Sequence, residues 1–505
     1  MGTCTPFPAL YNYDAERGGK MRLVSIFCAC ACLVGCTEAE IDTGEYTRPP
    51  TLGFLDMQME QLGENVLLWT ISAETEEPGA AQVTFSYEGG PLRKTGFSEP
   101  GTSHEWILVG LRAEEPHNVT LSGMSEGGVT WPEHSGTFTT GELPEEIAAV
   151  SVNAVADANL EPGFTAFGPG VEQIYGFAVD DEGEVVWYHT DPEIRSSMLA
   201  RQYKELPGGD LFSMTQTGYE IMSPAGDVSL QYPAQGDTGR PIHHDAILLP
   251  SGNVLALSNE TQTLTVPELG GEVKVLGDVL LELSPSGEEL WRWSTFEHLD
   301  TQRFPTELSK NESRSGAGFD WTHANGLFYV AADDSILVSL RSQQWIIKIS
   351  RDDGQVLWRL GHEGDFELLE GQWFSAQHAP ELHEDGLLLL YDNGNERETE
   401  GSPFSRAVGF SLDESARTAR QVFSFETEHF TGKLGGARRL NNGNVLVCAG
   451  GVNRSDQAII SEVEFGTGKE LWSLRLGKPG LNVYRAERLS ESWPYGQDVQ
   501  GEENE

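Results

Sequence analysis

The sequence is poor in basic residues, in cysteine and in long apolar or helical segments. It has 33 lysines and arginines against 78 aspartates and glutamates, and its formal net charge at pH 7 is −45. Surfaces that bind nucleic acid or anionic lipid need basic side chains to neutralise phosphates. The composition therefore argues against nucleic acid as a partner and against direct adsorption to a membrane. An anionic substrate would need a local basic pocket.

The few cysteines concentrate near the N-terminus. Five of the six lie within the first 36 positions. The segment MRLVSIFCACACLVGC, residues 21–36, has a basic residue followed by an apolar run too short to span a bilayer comfortably, which is typical of a secretion signal. Its end, LVGC at 33–36, resembles a bacterial lipobox. We therefore expect residues 1–35 to be a signal region with its true start at Met21, and Cys36 to carry a lipid anchor.

This anchor predicts the location of the protein. Residues 36–50 are polar and indicate a flexible linker, and Thr37 favours sorting to the outer membrane. We expect a lipoprotein of the bacterial cell envelope that faces the periplasm or the cell surface; an uncleaved anchor or a plain secretion signal is the alternative. Removal of the signal region would leave Cys448 as a small buried hydrophobe, so no disulfide is expected within the mature chain.

Long stretches with helical periodicity are missing, and short strand patterns take their place. The 57 glycines separate short apolar runs, as in strands joined by tight turns. Residues 51–142 alternate between polar and apolar positions, and the stretch WILVGLRAEEPHNVTL resembles the late strands of a fibronectin type III-like domain. We expect a small β-sandwich that acts as a spacer or docking domain.

Two phrases recur from about residue 150 onward. One is an apolar strand after a turn, found as LPGGDLFSM, LPSGNVLAL, ADDSILVSL, HEDGLLLLY and NNGNVLVCA. The other ends in an aromatic residue, found as DDEGEVVWY, SPAGDVSLQY, SPSGEELWRW, SRDDGQVLWRL, SLDESARTARQVFSF and FGTGKELWSL. Their spacing of about 45–70 residues is that of propeller blades with insertions. We predict an all-β chain in which residues 150–490 form a six-bladed β-propeller with tryptophans between blades, followed by a disordered acidic tail at 491–505.

Three histidines stand at the same point of three consecutive repeats. His244 in PIHHDA, His323 in FDWTHANG and His378 in AQHAPEL each precede the apolar strand of their repeat. The inner strands of a propeller converge on its axis, so these imidazoles are expected side by side at the mouth of the channel. Arg341, in SLRSQQ after the strand of the middle repeat, is expected to join them.

These residue types leave three interpretations open. Three imidazoles with Asp245 could bind zinc, copper or iron. Arg341 weighs against a metal because a fixed cation repels the ion, and it better matches an anion with tetrahedral oxygens such as phosphate or sulfate. Each histidine could also be a structural residue of its own blade. We favour the anion site, with no metal and no cofactor.

The motifs HHDAILLPSGN, FDWTHANG, SLRSQQWIIKIS, QHAP and LYDNGNER, in this order, resemble those of the bacterial arylsulfate sulfotransferases. That family has a β-sandwich before a six-bladed propeller and moves a sulfuryl group from a phenolic sulfate donor to a phenol acceptor without a nucleotide sulfate. The resemblance implies ping-pong chemistry with His378 as the sulfohistidine nucleophile. It implies oxyanion-binding and proton-handling roles for His244, His323 and Arg341. The paired cysteines of some periplasmic members are missing here.

Seven further residues are candidates for substrate contacts or for orienting the histidines. Trp321 and Trp373, with Phe374, could stack on an aryl ring, and packing between blades is the alternative for each. The others could orient the histidines or belong to turns, and they are His243, Asn325, Asn393 and Arg397. Other functions stay open, namely a surface-anchored propeller that binds a protein or glycan, a sulfate-ester hydrolase and, with less support, a quinone-dependent dehydrogenase.

Overall fold

The computed structural model describes most of the chain between residues 53 and 495. The described ranges are 53–148, 150, 152–156, 159–169, 174–190, 202–214, 218–233, 240–267, 271–304, 318–399, 401–451, 457–477 and 481–495. The predictions for the signal region, for Cys36 and for the linker lie outside these residues. Within them, no helix has both the length and the apolar character needed to cross a membrane.

The first 90 or so described residues form one sheet that folds over its own core. Its strands are β1 (Phe54–Gln61), β2 (Trp69–Tyr87), β3 (Arg93–Lys94), β4 (Gly101–Leu108), β5 (Pro116–Ser125) and β6 (His134–Thr139). The first part of β2 pairs with β1 and β4 and its second part with β3 and β5. Alternate residues of both parts of β2 face inward. Among them, Ile71 and Val83 share one core with Trp106 of β4 and Leu121 of β5. Because the strands share one hydrogen-bonded sheet, the fibronectin type III-like topology stays a prediction.

The remaining described residues supply short strands and two single-turn helices, α1 (Glu145–Ala148) and α2 (Thr295–His298). The strands up to the middle of the chain are β7 (Val152–Ala156), β8 (Phe164–Pro169), β9 (Ile174–Val179), β10 (Val185–Thr190), β11 (Tyr203–Glu205), β12 (Leu211–Met214), β13 (Tyr219–Met222), β14 (Val228–Tyr232), β15 (Ala246–Leu248), β16 (Val254–Val266), β17 (Gly271–Leu283), β18 (Glu289–Ser294) and β19 (Phe319–Asp320). The later strands are β20 (Ala324–Val330), β21 (Ser335–Leu340), β22 (Trp345–Ser350), β23 (Val356–Gly361), β24 (Glu367–Glu370), β25 (His378–Leu382), β26 (Leu387–Asp392), β27 (Arg406–Asp413), β28 (Thr418–Glu426), β29 (Gly436–Arg439), β30 (Val445–Ala449), β31 (Ile459–Val463), β32 (Glu470–Leu476) and β33 (Val483–Leu489).

Strands β7 to β33 form six sheets within the described ranges. Their orders are β33-β8-β9-β10, β11-β12-β13-β14, β15-β16-β17-β18, β20-β21-β22-β23, β25-β26-β27-β28 and β29-β30-β31-β32-β7. Neighbours along these orders are antiparallel, and β19 and β24 add by parallel pairing to β17 and β28. The last strand, β33, completes the first sheet, and β7 completes the last one. The first and last sheets of this region therefore each contain one strand from the opposite end of the chain segment.

Both recurring phrases fall at equivalent positions in these sheets. The apolar phrase forms the second strand of five sheets, namely β12, β16, β21, β26 and β30. The aromatic phrase forms the fourth strand of all six, namely β10, β14, β18, β23, β28 and β32. The all-β class that the sequence predicts is confirmed.

Four tryptophans connect neighbouring sheets. Each lies on a fourth strand, and its indole N–H donates to an oxygen in the turn between the third and fourth strands of another sheet. The pairs are Trp187 with the Pro224 carbonyl, Trp293 with the Gly354 carbonyl, Trp358 with the Glu414 carboxylate and Trp472 with the Asp181 carbonyl. All four rings are buried. The expected packing of tryptophans between units is confirmed, and Trp472 joins the last sheet to the first.

The C-terminal segment is ordered beyond the predicted start of the tail at residue 491. Trp493 is 1% exposed, and its indole N–H donates to the Gly209 carbonyl. The Tyr495 hydroxyl accepts from the Val109 N–H and donates to the Ile107 carbonyl. Burial of such aromatic rings outweighs the entropy of a short acidic segment. The predicted tail is therefore corrected at its first five residues, while 496–505 lie outside the described part.

Replacing Trp472 with alanine is expected to lower the free energy of unfolding by about 3–5 kcal/mol. The change leaves a cavity and an unpaired carbonyl where the last sheet meets the first. Leu290→Ala is the matched control, since this side chain is 50% exposed and its loss should change the free energy by at most about 0.5 kcal/mol. Urea unfolding followed by far-ultraviolet circular dichroism measures both, and equal midpoints would contradict the expectation.

Candidate active site

The first strands of the six sheets lie beside one another. Along this series β15 contacts β20, β20 contacts β25, β25 contacts β29, β29 contacts β33 and β33 contacts β11. The three histidines stand where three of these strands begin. His244 lies just before β15, His323 directly precedes β20, and His378 is the first residue of β25. Residues more than 130 positions apart are thus brought to one end of neighbouring strands.

The backbone around the histidines is in the left-handed region. The φ angle is +58° at His244, +48° at His323 and +51° at Ala379, next to His378. This conformation costs a residue with a side chain about 1 kcal/mol or more and concentrates at functional sites. At these positions the imidazoles also lie close together, with the ring centroids of His244 and His323 4.9 Å apart.

Asn393 determines where the proton of His378 lies. The Asn393 amide nitrogen donates to the carbonyls of Thr431 and Leu434, at 2.5 and 2.8 Å. Its oxygen therefore faces His378 Nδ1, at 2.6 Å. An amide oxygen can only accept a hydrogen bond, so His378 Nδ1 carries the hydrogen and Nε2 keeps its lone pair.

The surroundings of His378 also keep this imidazole neutral. Burial, with the side chain 2% exposed, holds the pKa of His378 well below its ordinary value of 6.5. The guanidinium of Arg341 lowers this pKa further. A neutral imidazole with a lone pair on Nε2 is a competent nucleophile for a covalent intermediate.

A hydrogen bond joins the rings of His243 and His244. Their Nδ1 atoms are 2.8 Å apart, and Nε2 of His243 lies 3.3 Å from a carboxylate oxygen of Asp278. Burial opposes a charge on His243, but Asp278 outweighs it and raises the pKa of His243. Burial and the neighbouring His323 place the pKa of His244 well below its ordinary value. The proton between the rings therefore belongs to His243.

His323 and Arg341 complete the cluster. Nδ1 of His323 lies 2.5 Å from a carboxylate oxygen of Asp320. Burial alone would raise the pKa of Asp320, but His323 lowers it, so this carboxylate stays ionised. The Arg341 guanidinium donates to the Gly432 carbonyl at 3.1 Å, and its backbone N–H donates to the His323 carbonyl. Burial lowers the pKa of Arg341, yet guanidinium groups stay charged in proteins.

Sequence reasoning missed Arg485, which lies on the closing strand β33. Its side chain is 1% exposed and donates to Asp245 at 2.8 Å and to the Asn325 carbonyl at 2.6 Å. Its charge also lowers the pKa of His378. The available signal was the alternation of apolar Val483 and Ala486 with charged residues in the strand segment NVYRAERL, because a charge in a buried strand requires a partner.

Tyr484, the neighbouring residue, was also missed. Its ring centroid lies 6.2 Å from that of His244 and 6.3 Å from that of His378, so the phenol stands between these two imidazoles. Its hydroxyl donates to the Asn325 carbonyl at 3.2 Å, and burial raises the pKa of this phenol to about 12. The group therefore stays protonated.

The other predicted residues divide into two groups. His243, Asn325 and Asn393 lie within the cluster. Arg397 forms an ion pair with Asp392, the residue before Asn393. The two tryptophans do not join it.

Trp321 and Trp373 pack between sheets. The Trp321 ring is buried, and its indole N–H donates to the Arg303 carbonyl at 2.7 Å. Trp373 packs against Phe410, with ring centroids 5.5 Å apart, and the adjacent Phe374 is buried in the same core. The structure therefore places these rings in packing between sheets, the alternative to stacking on an aryl group.

The cluster has the parts of a group-transfer site for an anion. It combines a buried neutral nucleophile, a guanidinium and imidazoles that can donate hydrogen bonds to oxygens. Among the residues that the structure describes, no group of three or more histidines, cysteines or carboxylates is arranged to hold a metal ion.

Comparisons with known proteins agree with this chemistry. The family model described as arylsulfotransferase (ASST) matches residues 149–486. A curated relative, arylsulfate sulfotransferase AssT of Escherichia coli, is 24% identical over 321 residues, which cover 50% of this chain and 53% of the relative. The chain thus spans about half the length of the curated relative that it matches.

Two solved structures show a weak likeness to this chain. A protein of unknown function from Bacteroides caccae has a TM-score of 0.39 and 16% identity, over 64% of this chain and 98% of that one. The Cps50 (Swd1) β-propeller domain from Myceliophteria thermophila has a TM-score of 0.32 and 12% identity, over 65% and 90%.

The family match covers well over half of the chain and includes every residue of the histidine cluster. The chain belongs to the arylsulfotransferase family.

Proposed function

We propose that this protein is a nucleotide-independent arylsulfate sulfotransferase. It moves a sulfuryl group from a phenolic sulfate ester to a phenol through a sulfohistidine at His378. The observation that carries the proposal is the protonation of His378, whose Nδ1–H is held by Asn393 while Nε2 keeps its lone pair. The family and the activity in the name of the Escherichia coli relative support the reaction class.

In the first half-reaction, Nε2 of His378 attacks sulfur and the bond from sulfur to the phenolic oxygen breaks. Negative charge spreads over the three sulfuryl oxygens, as in phosphoryl transfer, so positioning and cationic donors supply most of the rate increase. Arg341 can hold two of these oxygens at once. His244 and His323 can donate hydrogen bonds to the sulfuryl group or handle the proton of the phenol.

In the second half-reaction, the oxygen of an acceptor phenol attacks the sulfur and the bond from sulfur to Nε2 breaks. His378 returns to a neutral imidazole. The same groups serve both steps, since the second step is the chemical reverse of the first with another phenol.

The proposal includes the architecture and the location of the protein. The six sheets would be the blades of a six-bladed β-propeller, with the histidine cluster at one end of its axis. Contacts between the first strands of successive sheets support this arrangement. A lipid on Cys36 would place the protein at the outer membrane, and the lipobox-like LVGC supports that location.

His378→Ala is expected to abolish transfer, with a fall in kcat of about 10⁴-fold or more because the nucleophile is lost. Purified full-length protein is incubated with 4-nitrophenyl sulfate, with and without added phenol, and nitrophenol release is recorded. His362→Ala is the control, because His362 is exposed and lies outside the cluster.

The outcomes separate the candidate functions. Nitrophenol release that needs both phenol and His378 supports the transferase. Release that needs His378 but ignores phenol indicates a sulfate-ester hydrolase. No turnover with a broad panel of donors would contradict the proposal in favour of a binding propeller.

The pH dependence of kcat/KM tests the role of Asn393. Because the pKa of His378 is held well below 6.5, the acid limb of the wild-type profile should lie at that lowered pKa. In Asn393→Asp a carboxylate would stabilise the imidazolium and raise the pKa of His378. The acid limb of the profile is therefore expected to move to higher pH.

Asn118→Asp is the matched control for this shift. Asn118 lies on β5, is exposed, and its side-chain oxygen accepts from the Thr137 hydroxyl instead of contacting a histidine. Its acid limb should stay at the position found for the wild type. An unchanged profile in Asn393→Asp would mean that Asn393 does not control the nucleophile.

A further inference from the structure

We propose that Asp278, His243 and His244 form a proton relay, which protonates the leaving phenolate and recovers a proton from the acceptor phenol. This inference rests on the proposed function, because it names the groups that handle the proton in that reaction. His243 and Asp278 act as positioning residues behind His244.

The short distance between the two rings carries the inference. At 2.8 Å, facing Nδ1 atoms cannot both carry hydrogens, and two lone pairs there would repel each other. One proton therefore lies between them. The other nitrogen of His243, Nε2, makes no hydrogen bond but lies 3.3 Å from the Asp278 carboxylate, whose negative charge favours a second proton on His243. His243 is thus an imidazolium that donates to Nδ1 of His244.

The same contact fixes the tautomer of His244. Since its Nδ1 accepts a hydrogen bond, a neutral His244 must carry its own hydrogen on Nε2. The His244 ring packs against the rings of His323 and Tyr484, which belong to the cluster. His244 therefore offers an N–H inside the site, while His378 offers a lone pair.

Asp278 is buried, and its two oxygens have different partners. It is 4% exposed, and its second oxygen accepts from the Ala324 N–H at 2.7 Å and from the Thr322 hydroxyl. These bonds leave the first oxygen for His243. The other charged group that acts on His243 is Asp320, which favours the imidazolium as well.

Each half-reaction balances in protons and charge. As the bond from sulfur to oxygen breaks, its electron pair goes to the phenolate oxygen, and the Nε2 proton of His244 passes to that oxygen. The Nδ1 proton of His243 then moves to Nδ1 of His244. The positive charge lost from His243 is replaced by one on the sulfated His378 ring.

The second half-reaction restores the relay. The acceptor phenol gives its proton to Nε2 of His244, and the proton on Nδ1 of His244 returns to His243. The phenolic oxygen attacks the sulfur, and the electron pair of the nitrogen–sulfur bond returns to Nε2 of His378. The total charge of the buried site stays constant, which avoids the large cost of creating an unpaired charge there. No proton from solvent is required.

His323 is the rival proton donor, because it also carries an imidazole paired with a carboxylate. The two assignments predict different mutational effects. Loss of the pair that donates the proton, either His243–Asp278 or His323–Asp320, should slow the reaction more for a poor leaving group than for a good one. A poor leaving group such as unsubstituted phenolate needs a proton, whereas 4-nitrophenolate is stabilised by its nitro group.

The test measures kcat/KM of the full chain for phenyl sulfate and for 4-nitrophenyl sulfate. General acid catalysis contributes about 10²–10⁴-fold, so His243→Asn should lose about 10²-fold or more with phenyl sulfate and about tenfold or less with 4-nitrophenyl sulfate. Asp278→Asn should change the two donors in the same unequal way. Asp320→Asn, the matched carboxylate control, should affect both donors equally.

Two kinetic results would overturn the relay. One is an equal loss for both donors in His243→Asn, which a purely structural role would give. The other is an unequal loss confined to Asp320→Asn, which would assign the proton to His323. If the wild type turned over neither donor, the proposed function would fail and the relay with it.

Nitrogen-15 NMR of histidine-labelled wild type supplies a measurement that is independent of turnover. At pH 7 we expect His243 protonated on both ring nitrogens and His244 as the neutral Nε2–H tautomer. Signals are assigned by their loss in His243→Asn and His244→Asn. A neutral His243 would overturn the relay even in an active sulfotransferase.

Discussion

The buried carboxylate of Asp245 is the contact on which the arrangement of the site depends. It accepts hydrogen bonds from Arg485 and Gln202, each at 2.8 Å, and from the Leu327 N–H at 2.9 Å. It thereby connects the residue before β15 to β33, to the segment before β11 and to β20. Breaking such a buried pair costs about 3–5 kcal/mol, so these strands keep their relative positions. His244, the preceding residue, is positioned by the same contact.

The cations of the site are balanced by buried carboxylates, in a chain of strongly negative formal charge. Arg485 is neutralised by Asp245, and the imidazolium of His243 by Asp278. Arg341 donates to a backbone carbonyl, a neutral acceptor, while Asp320, which acts on its charge, is hydrogen-bonded to His323. In the proposed reaction, this guanidinium would attract the anionic donor.

Hydrogen-bond partners assign opposite proton states to two histidines of the same cluster. An amide oxygen accepts from Nδ1 of His378 and leaves Nε2 as a nucleophile, whereas an imidazolium donates to Nδ1 of His244 and leaves Nε2–H as a donor. Burial holds the pKa of both rings low. Neutral rings with complementary tautomers are what a two-step group transfer requires.

The sequence alone determined the all-β class, the aromatic fourth strands and the equivalent positions of His244, His323 and His378, because these features follow local periodicity and internal repeats. Only the tertiary structure decided that Arg485 joins the cluster and that Trp321 does not. Strand β33 completes a sheet that begins more than 300 residues earlier, and burial depends on such pairings between distant segments. The proton states of the histidines likewise depend on partners from other strands, which spacing along the chain does not specify.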